Sequence, residues 1–472
     1  VRRLSYLSYF AWAAKYIAMG IATMMLVIGC SRDTQLQNNE VIRRSPSQAN
    51  VLQIWWDKGY YPQEDEALAK VVSNWEQKTN HQVKLSFYTN DELSQKTQRA
   101  IQAGDPPDIL MNDGGDRTIG ALAWQGKLAD VSGVIEPVED LIDRTMLSSV
   151  YLYNNVAKKQ SYYAIPIHVS IPHIFYWRDL LQQIDKKERD IPQDWDGFWQ
   201  FWQQAQQPIQ TQQQQDIYGI GLPLSVAATD TYEIFEQILE AYNVEIVDLE
   251  GNLQVDNSEV RQGIINCLDW YTKFYLQGFV PPDAVDWLNP DNNRSLLNYQ
   301  VVMTPNNSLS IPAALGKDSQ EYQDKLVTAG YPKKPSGEQM KYIALVRQAI
   351  ILKEAPHQKL AQEFLSYLIQ PEIIGNYLKA AGGRFFPVNE KSWTDPFWTD
   401  PADPHISTAA RPFLNGQTRL SHTALNPAYS LILKEGIWGQ ALNSIVTDKV
   451  SAEQAADRAI AQIEKIFTEW KY

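Results

Sequence analysis

SYYAIPIHVSIPHIFYWRDL, residues Ser161 to Leu180, is the stretch that decides the fold. Apolar runs flank Pro166 and Pro172. Proline lacks the N–H that a central ladder needs, so these runs read as short strands at an edge or a crossing. They end in Phe175-Tyr176-Trp177, after which Arg178-Asp179-Leu180-Leu181 reads as a helix start. The chain is expected to leave one lobe here, line a cleft and enter a second lobe. A buried crossing without a cleft is the plainer alternative, and the flanking sequence separates the two.

Upstream, VLQIWW at 51–56 reads as a strand. Gln63 to Lys78 carries Ala67, Leu68, Val71, Val72 and Trp75 at helical spacing. Gln82 to Tyr88 alternates as a second strand, and Asp91 opens a helix running to Ile101. GDPPDILMNDGG at 104–115 then gives a proline-bounded turn and a third strand. Strand–helix alternation of this kind predicts α/β architecture with a mostly parallel sheet. In such sheets ligands collect beyond the C-terminal strand ends. Trp55, Trp56, Asp57, Asn112 and Asp113 fall at those ends, although Trp55 reads equally well as core.

Downstream, Trp195, Phe198, Trp199 and Trp202 form the packing face of an aromatic-rich helix. Gln203 to Gln215 holds nine glutamines in thirteen positions and reads as a low-complexity surface segment. Helices follow at Thr231–Glu240 and Val260–Leu276. Leu296 to Met303 reads as a strand returning to the first lobe, and Lys341 to Arg347 as an edge. The last helices are expected over Pro427–Leu442 and Ala452–Tyr472. No internal repeat is visible.

A chain of 472 residues exceeds what one hydrophobic core usually supports, which again favours two lobes. Six His and two Cys, with no CxxC, leave little room for a thiolate or multi-histidine metal site. A formal charge of −13 argues against nonspecific nucleic-acid binding. The 15 Trp and 24 Tyr are a surplus that often serves stacking ligand surfaces as well as the core.

The first thirty residues read as an export signal. Arg2, Arg3 and Lys15 form a positive flank, Ile17 to Ile28 is almost wholly apolar, and Gly29-Cys30-Ser31 follows. This pattern resembles a bacterial lipoprotein signal, which implies lipidation of Cys30 and removal of residues 1–29. Cleavage would take the 42 basic side chains to 39 against 55 acidic ones, a formal charge of −16. Cys267 would then have no disulfide partner, and its apolar helical setting reads as a small buried hydrophobe. Residues 30–50 read as a polar tether.

Several separated segments then agree. GDPPDIL at 104–110, YYAIPIHVSIPHIFYWRDLL at 162–181, Pro192 with Trp195 and Asp196, and AQEFLSYLIQPEIIGNYLKAAGGRFFPVN at 361–389 resemble a known family. It is that of the extracellular solute-binding proteins of bacterial ABC importers, which includes maltose- and other sugar-binding proteins. The resemblance implies a two-lobed periplasmic-binding-protein fold, α/β, with a ligand cleft between lobes joined by hinge strands. Lobe 1 would be 51–165 plus 300–368, and lobe 2 would be 166–299 plus 369–472. It also implies a monomeric, lipid-anchored receptor on the extracytoplasmic face, serving permease subunits. No P-loop GxxxxGK[ST] occurs in the chain, so energy would come from a separate ATPase.

The ligand-facing positions that the resemblance implies are Trp56, Asp57, Asn112, Asp113, His168, Tyr176, Trp287, Asn306, Gly383, Arg384 and Tyr429. These residue types suit a sugar. A Trp or Tyr covers the apolar ring face, while carboxylates, amides and a guanidinium meet the hydroxyl girdle. No cofactor, metal or nucleic acid is implied. The rivals are a polyamine or phosphate-ester receptor, and a secreted carbohydrate-active enzyme using Asp57 and Asp113 as an acid/base pair.

Overall fold

The computed structural model describes residues 51–112 and 117–470. Its first third is the expected alternation. Strand β1 (Val51–Asp57) buries every second side chain and leads into helix α1 (Pro62–Thr79), which turns Leu68, Val71, Val72 and Trp75 inward. Strand β2 (Gln82–Tyr88), helix α2 (Asn90–Ala103) and strand β3 (Ile109–Met111) follow. Thr89 and Glu92 form a reciprocal capping box, so α2 starts just before Asp91, and Gly104 closes it at a φ of 69°. Both β2 and β3 pair with β1 in parallel. Parallel pairing follows from helical crossovers that carry the chain back to the same sheet end.

The 161–180 stretch then divides in two. A hairpin of β4 (Tyr151–Asn154) and β5 (Lys159–Tyr162) precedes β6 (Ile165–Ser170), every residue of which is buried. Ile171 and Pro172 carry the chain across to β7 (His173–Trp177), which belongs to a second sheet. The proline thus stands at the crossing, where no ladder N–H is required.

In the second lobe, helix α3 (Trp195–Gln213) is set by an Asp194 cap on the Gly197 N–H. It runs through most of the glutamine-rich segment. Gln206 and Gln210 use their amides to hold the Gly219 N–H and the Ile217 carbonyl at 2.8 and 3.0 Å. Strand β8 (Tyr218–Ile220), helix α4 (Thr229–Ala241), helix α5 (Ser258–Leu276) and helix α6 (Asp291–Leu297) lead to β9 (Val301–Asn306).

Here the structure corrects the sequence reading. The strand near residue 300 does not return to the first sheet. It lies between β7 and β8 in the second sheet, whose order is β10-β7-β9-β8, with β10 at Leu326–Ala329. Pro305 is accommodated because β8 ends opposite Met303, so no partner on that side needs its missing N–H.

The return is made by β11 (Tyr342–Ile350). It is not an edge but a fully buried strand, antiparallel to both β6 and β3. Helices α7 (Gln358–Leu368) and α8 (Pro371–Ala380) pack on α1, so the chain stays beside the first sheet beyond residue 369. Strand β12 (Thr418–Leu420) adds to β11 in parallel. Helix α9 (Tyr429–Lys434) then packs against α10 (Ile437–Val446) and α11 (Ala452–Glu469), and these two pack on α5, α10 also touching α4. The helix expected over 427–442 is split at Gly436, where φ is +66°. Between α3 and α5, Trp195, Trp199 and Trp270 pack with centroid separations of 4.8 to 5.7 Å.

Candidate functional site

Strand β1 ends at Asp57, where Lys58, Gly59 and Tyr60 turn the chain into α1. The first turn of the helix holds this loop. Asp65 accepts from the Gly59 N–H at 2.8 Å and Glu64 from the Tyr60 N–H at 3.0 Å. A Cβ at Gly59 would lie 2.5 Å from the Glu64 Cβ, so only glycine allows this approach. Burial pushes the Tyr60 phenol above its ordinary pKa.

Opposite this loop, β9 delivers Asn306, Asn307 and Ser308. Asn306 is locked to Asn293, and its Oδ1 accepts from the Ser308 N–H at 3.0 Å. Asn307 donates to Asp230 of α4 at 3.4 Å. Its Oδ1 is buried and has no partner among the described residues.

Two ion pairs complete the walls. Arg384 lays one nitrogen against both oxygens of Glu64 at 3.1 Å, donates to the Ser308 hydroxyl and covers the Phe385 ring at 4.4 Å. Phe385 in turn stacks on His168 at 3.9 Å. Arg347 of β11 meets Glu233 of α4 at 3.0 Å, both side chains being almost fully buried. Together these groups enclose about 290 Å3 between the two sheets, at the C-terminal end of β1. The walls are amide, hydroxyl, carboxylate and guanidinium with the Lys58 ammonium, and Tyr60 and Phe385 are the aromatic members. A recess behind Arg384 and Phe385 reaches Trp56 and His168.

Of the residues expected at the site, Asp57, Asn306 and Arg384 line this cleft, with Trp56 and His168 at the recess. The others lie elsewhere. Trp287 is 4 % exposed within the core. Tyr176 is buried against Trp202, with centroids 5.0 Å apart. Tyr429 is fully buried and accepts from the Trp438 indole N–H at 3.0 Å. Asn112 donates to Ser94 and lines a separate hollow of about 110 Å3 beside α2. Gly383 is a turn residue whose Cβ would collide with Ile406 at 2.5 Å. Asp113 and Cys30 lie outside the described residues.

Tyr60, Asp230, Glu233, Asn293, Asn307 and Arg347 were not foreseen. Tyr60 could have been, since it follows Asp57 in the same strand-end loop. The others come from elements that meet only in three dimensions. A wider groove of about 1160 Å3 lies between the β4–β5 hairpin and residues 249–251, but no residue of the β1 end reaches it.

Residues 70–408 match the family model described as bacterial extracellular solute-binding protein, and the chain belongs to that family. Its members bind solutes and are not enzymes. Solved structures show the same two-lobed fold. An ABC transporter solute-binding protein from Thermotoga lettingae, bound with α-D-tagatose, is 18 % identical with a TM-score of 0.70, covering 88 % of this chain and 99 % of that one. Maltose-bound MalE3 of T. maritima is 17 % identical, TM-score 0.70, covering 88 % and 100 %. A sugar transporter of Arthrobacter chlorophenolicus with bound laminaribiose is 16 % identical, TM-score 0.69, covering 89 % and 100 %. No curated protein sequence matches. Among the described residues, no helix is long and apolar enough to cross a membrane.

Proposed function

We propose that this chain is the solute receptor of an ABC importer and that its solute is a small carbohydrate or polyol glycoside. The observation that carries this reading is the make-up of the cleft. A ring at Tyr60 stands among carboxylates and amides from both lobes, including an Asn307 oxygen buried without a partner among the described residues. Buried acceptors of this kind call for a donor, which a sugar hydroxyl supplies. The cavity, about 290 Å3, sits at the lower end of the roughly 300–1,000 Å3 usual for small-molecule sites, favouring one or two sugar rings. That the three related structures hold tagatose, maltose and laminaribiose supports the same class.

Because the walls come from two sheets, a solute that bridges them favours the closed arrangement by its extra contacts there. The closed form would dock on permease subunits driven by a separate ATPase. A lipid on Cys30 would hold the receptor at the extracytoplasmic face of the membrane, with residues 31–50 as the tether.

Native mass spectrometry of the protein purified from its source without refolding tests the reading. A retained hexose-based mass is the expected result. A polyamine, phosphate ester or other non-carbohydrate mass overturns the solute class.

A further inference from the structure

The two buried guanidinium groups of the cleft are each held by a buried carboxylate of the protein itself. Arg347 and Glu233 meet at 3.0 Å with side-chain exposures of 6 % and 2 %. Arg384 spans both oxygens of Glu64 at 3.1 Å, with exposures of 15 % and 9 %. The cleft also carries Asp57 and Asp230 against one exposed ammonium, Lys58, and Arg294 at its rim already meets Asp291 at 2.9 Å.

A buried cation with a fitted counter-ion has little left to offer a second anion. An incoming carboxylate would have to displace Glu233 or Glu64, leaving that side chain buried and uncompensated, or else sit desolvated beside it. Selectivity of this kind comes from what the site makes unfavourable as much as from what it attracts.

Resting on the carbohydrate reading, we propose that Glu233 and Glu64 are specificity-determining residues that exclude anionic solutes. By occupying Arg347 and Arg384, they restrict the receptor to saccharides without a carboxylate or phosphate. Glu233 stands one turn beyond Asp230 on α4, and the helix presents both to the cavity. One helix of the second lobe therefore brings the counter-ion for an arginine of the first sheet.

Matched pairs of ligands test the idea: glucose with glucuronate, galactose with galacturonate, and maltose with its singly oxidised uronate, titrated calorimetrically into the full chain. The wild-type protein is expected to bind the neutral member of its preferred pair at least 100-fold more tightly. Glu233→Gln should narrow that ratio tenfold or more by releasing Arg347. Glu64→Gln does the same at Arg384 and serves as the independent test if Glu233→Gln does not fold. Equal or tighter binding of the acid by the wild type overturns the proposal while leaving the carbohydrate reading intact. So does an unchanged ratio in a folded variant. Failure of every pair to bind overturns the carbohydrate reading and this inference with it.

Discussion

The interlobe cleft and the tryptophan cluster of the second lobe divide the chemistry of this chain in an unexpected way. The cluster takes Trp195, Trp199, Trp202 and Trp270 and buries all four. The cleft takes Tyr60 and Phe385 and otherwise builds its walls mainly from amides, hydroxyls and charged side chains. Much of the aromatic surplus in the composition therefore goes into the packing of α3 against α5. Stacked sheets and helices need wide, rigid apolar bodies, and tryptophan supplies the most area per residue. A small polar solute needs placed donors and acceptors instead.

The sharpest way to break this contrast is Trp199→Ala. Trp199 is 2 % exposed and packs 4.8 Å from Trp270. Its removal should destabilise the protein by about 3–5 kcal/mol in urea denaturation while leaving solute affinity in the folded state unchanged. A loss of affinity at constant stability would place the cluster at the site after all.

Acid should act on packed regions before it acts on the cleft. Burial pushes the imidazoles of His173 and His405 down to about 4. The unfolded chain, with ordinary pKa values near 6.5, binds the extra protons first as pH falls. The stability associated with each histidine is thus complete above about pH 6.5 and lost progressively toward pH 4. At pH 5 the loss is roughly 2 kcal/mol per histidine relative to pH 8. Thermal unfolding followed from pH 8 to pH 5 should show a falling Tm, and His405→Gln should flatten the slope. A flat wild-type profile would show that these rings titrate normally.

Tyr60→Ala tests the other side of the comparison. It should weaken solute binding about tenfold, near 1.4 kcal/mol, with a smaller change in stability. An unchanged Kd by calorimetry would remove the ring from the site. The mildest effect is expected at Tyr429→Phe, which deletes the hydroxyl that accepts from Trp438. About 1 kcal/mol of stability should go, with no change in affinity. Weakened binding there would put the Tyr429 hydroxyl in contact with the solute.

The candidate-cleft positions legible in the sequence are those where one strand and its following loop line it. Asp57 ends β1 in an alternating pattern, and its place in the cleft follows from that pattern and the parallel sheet. Arg384 was reachable through the family resemblance, because its loop is framed by quotable sequence. Trp287, Tyr176 and Tyr429 lie away from the candidate cleft, which the sequence leaves illegible for a common reason. An aromatic residue near a turn or strand end has the same local sequence whether it faces ligand or core. Only the neighbours that close over it decide, and for Tyr429 those include Trp438 and the ring of His422.

The sequence by itself determined the local grammar. Helical and alternating periodicities set β1 through β3 with their helices, and Pro172 marked the passage between sheets. These features depend on residues a few positions apart, where backbone geometry alone dictates which side chains share a face. The tertiary structure decided which sheet received β9 and which carboxylate reached each arginine. Glu233 and Arg347 are 114 residues apart in the chain. Such pairs form because sheet register and helix packing bring distant surfaces together, and no local pattern encodes a partner across that distance.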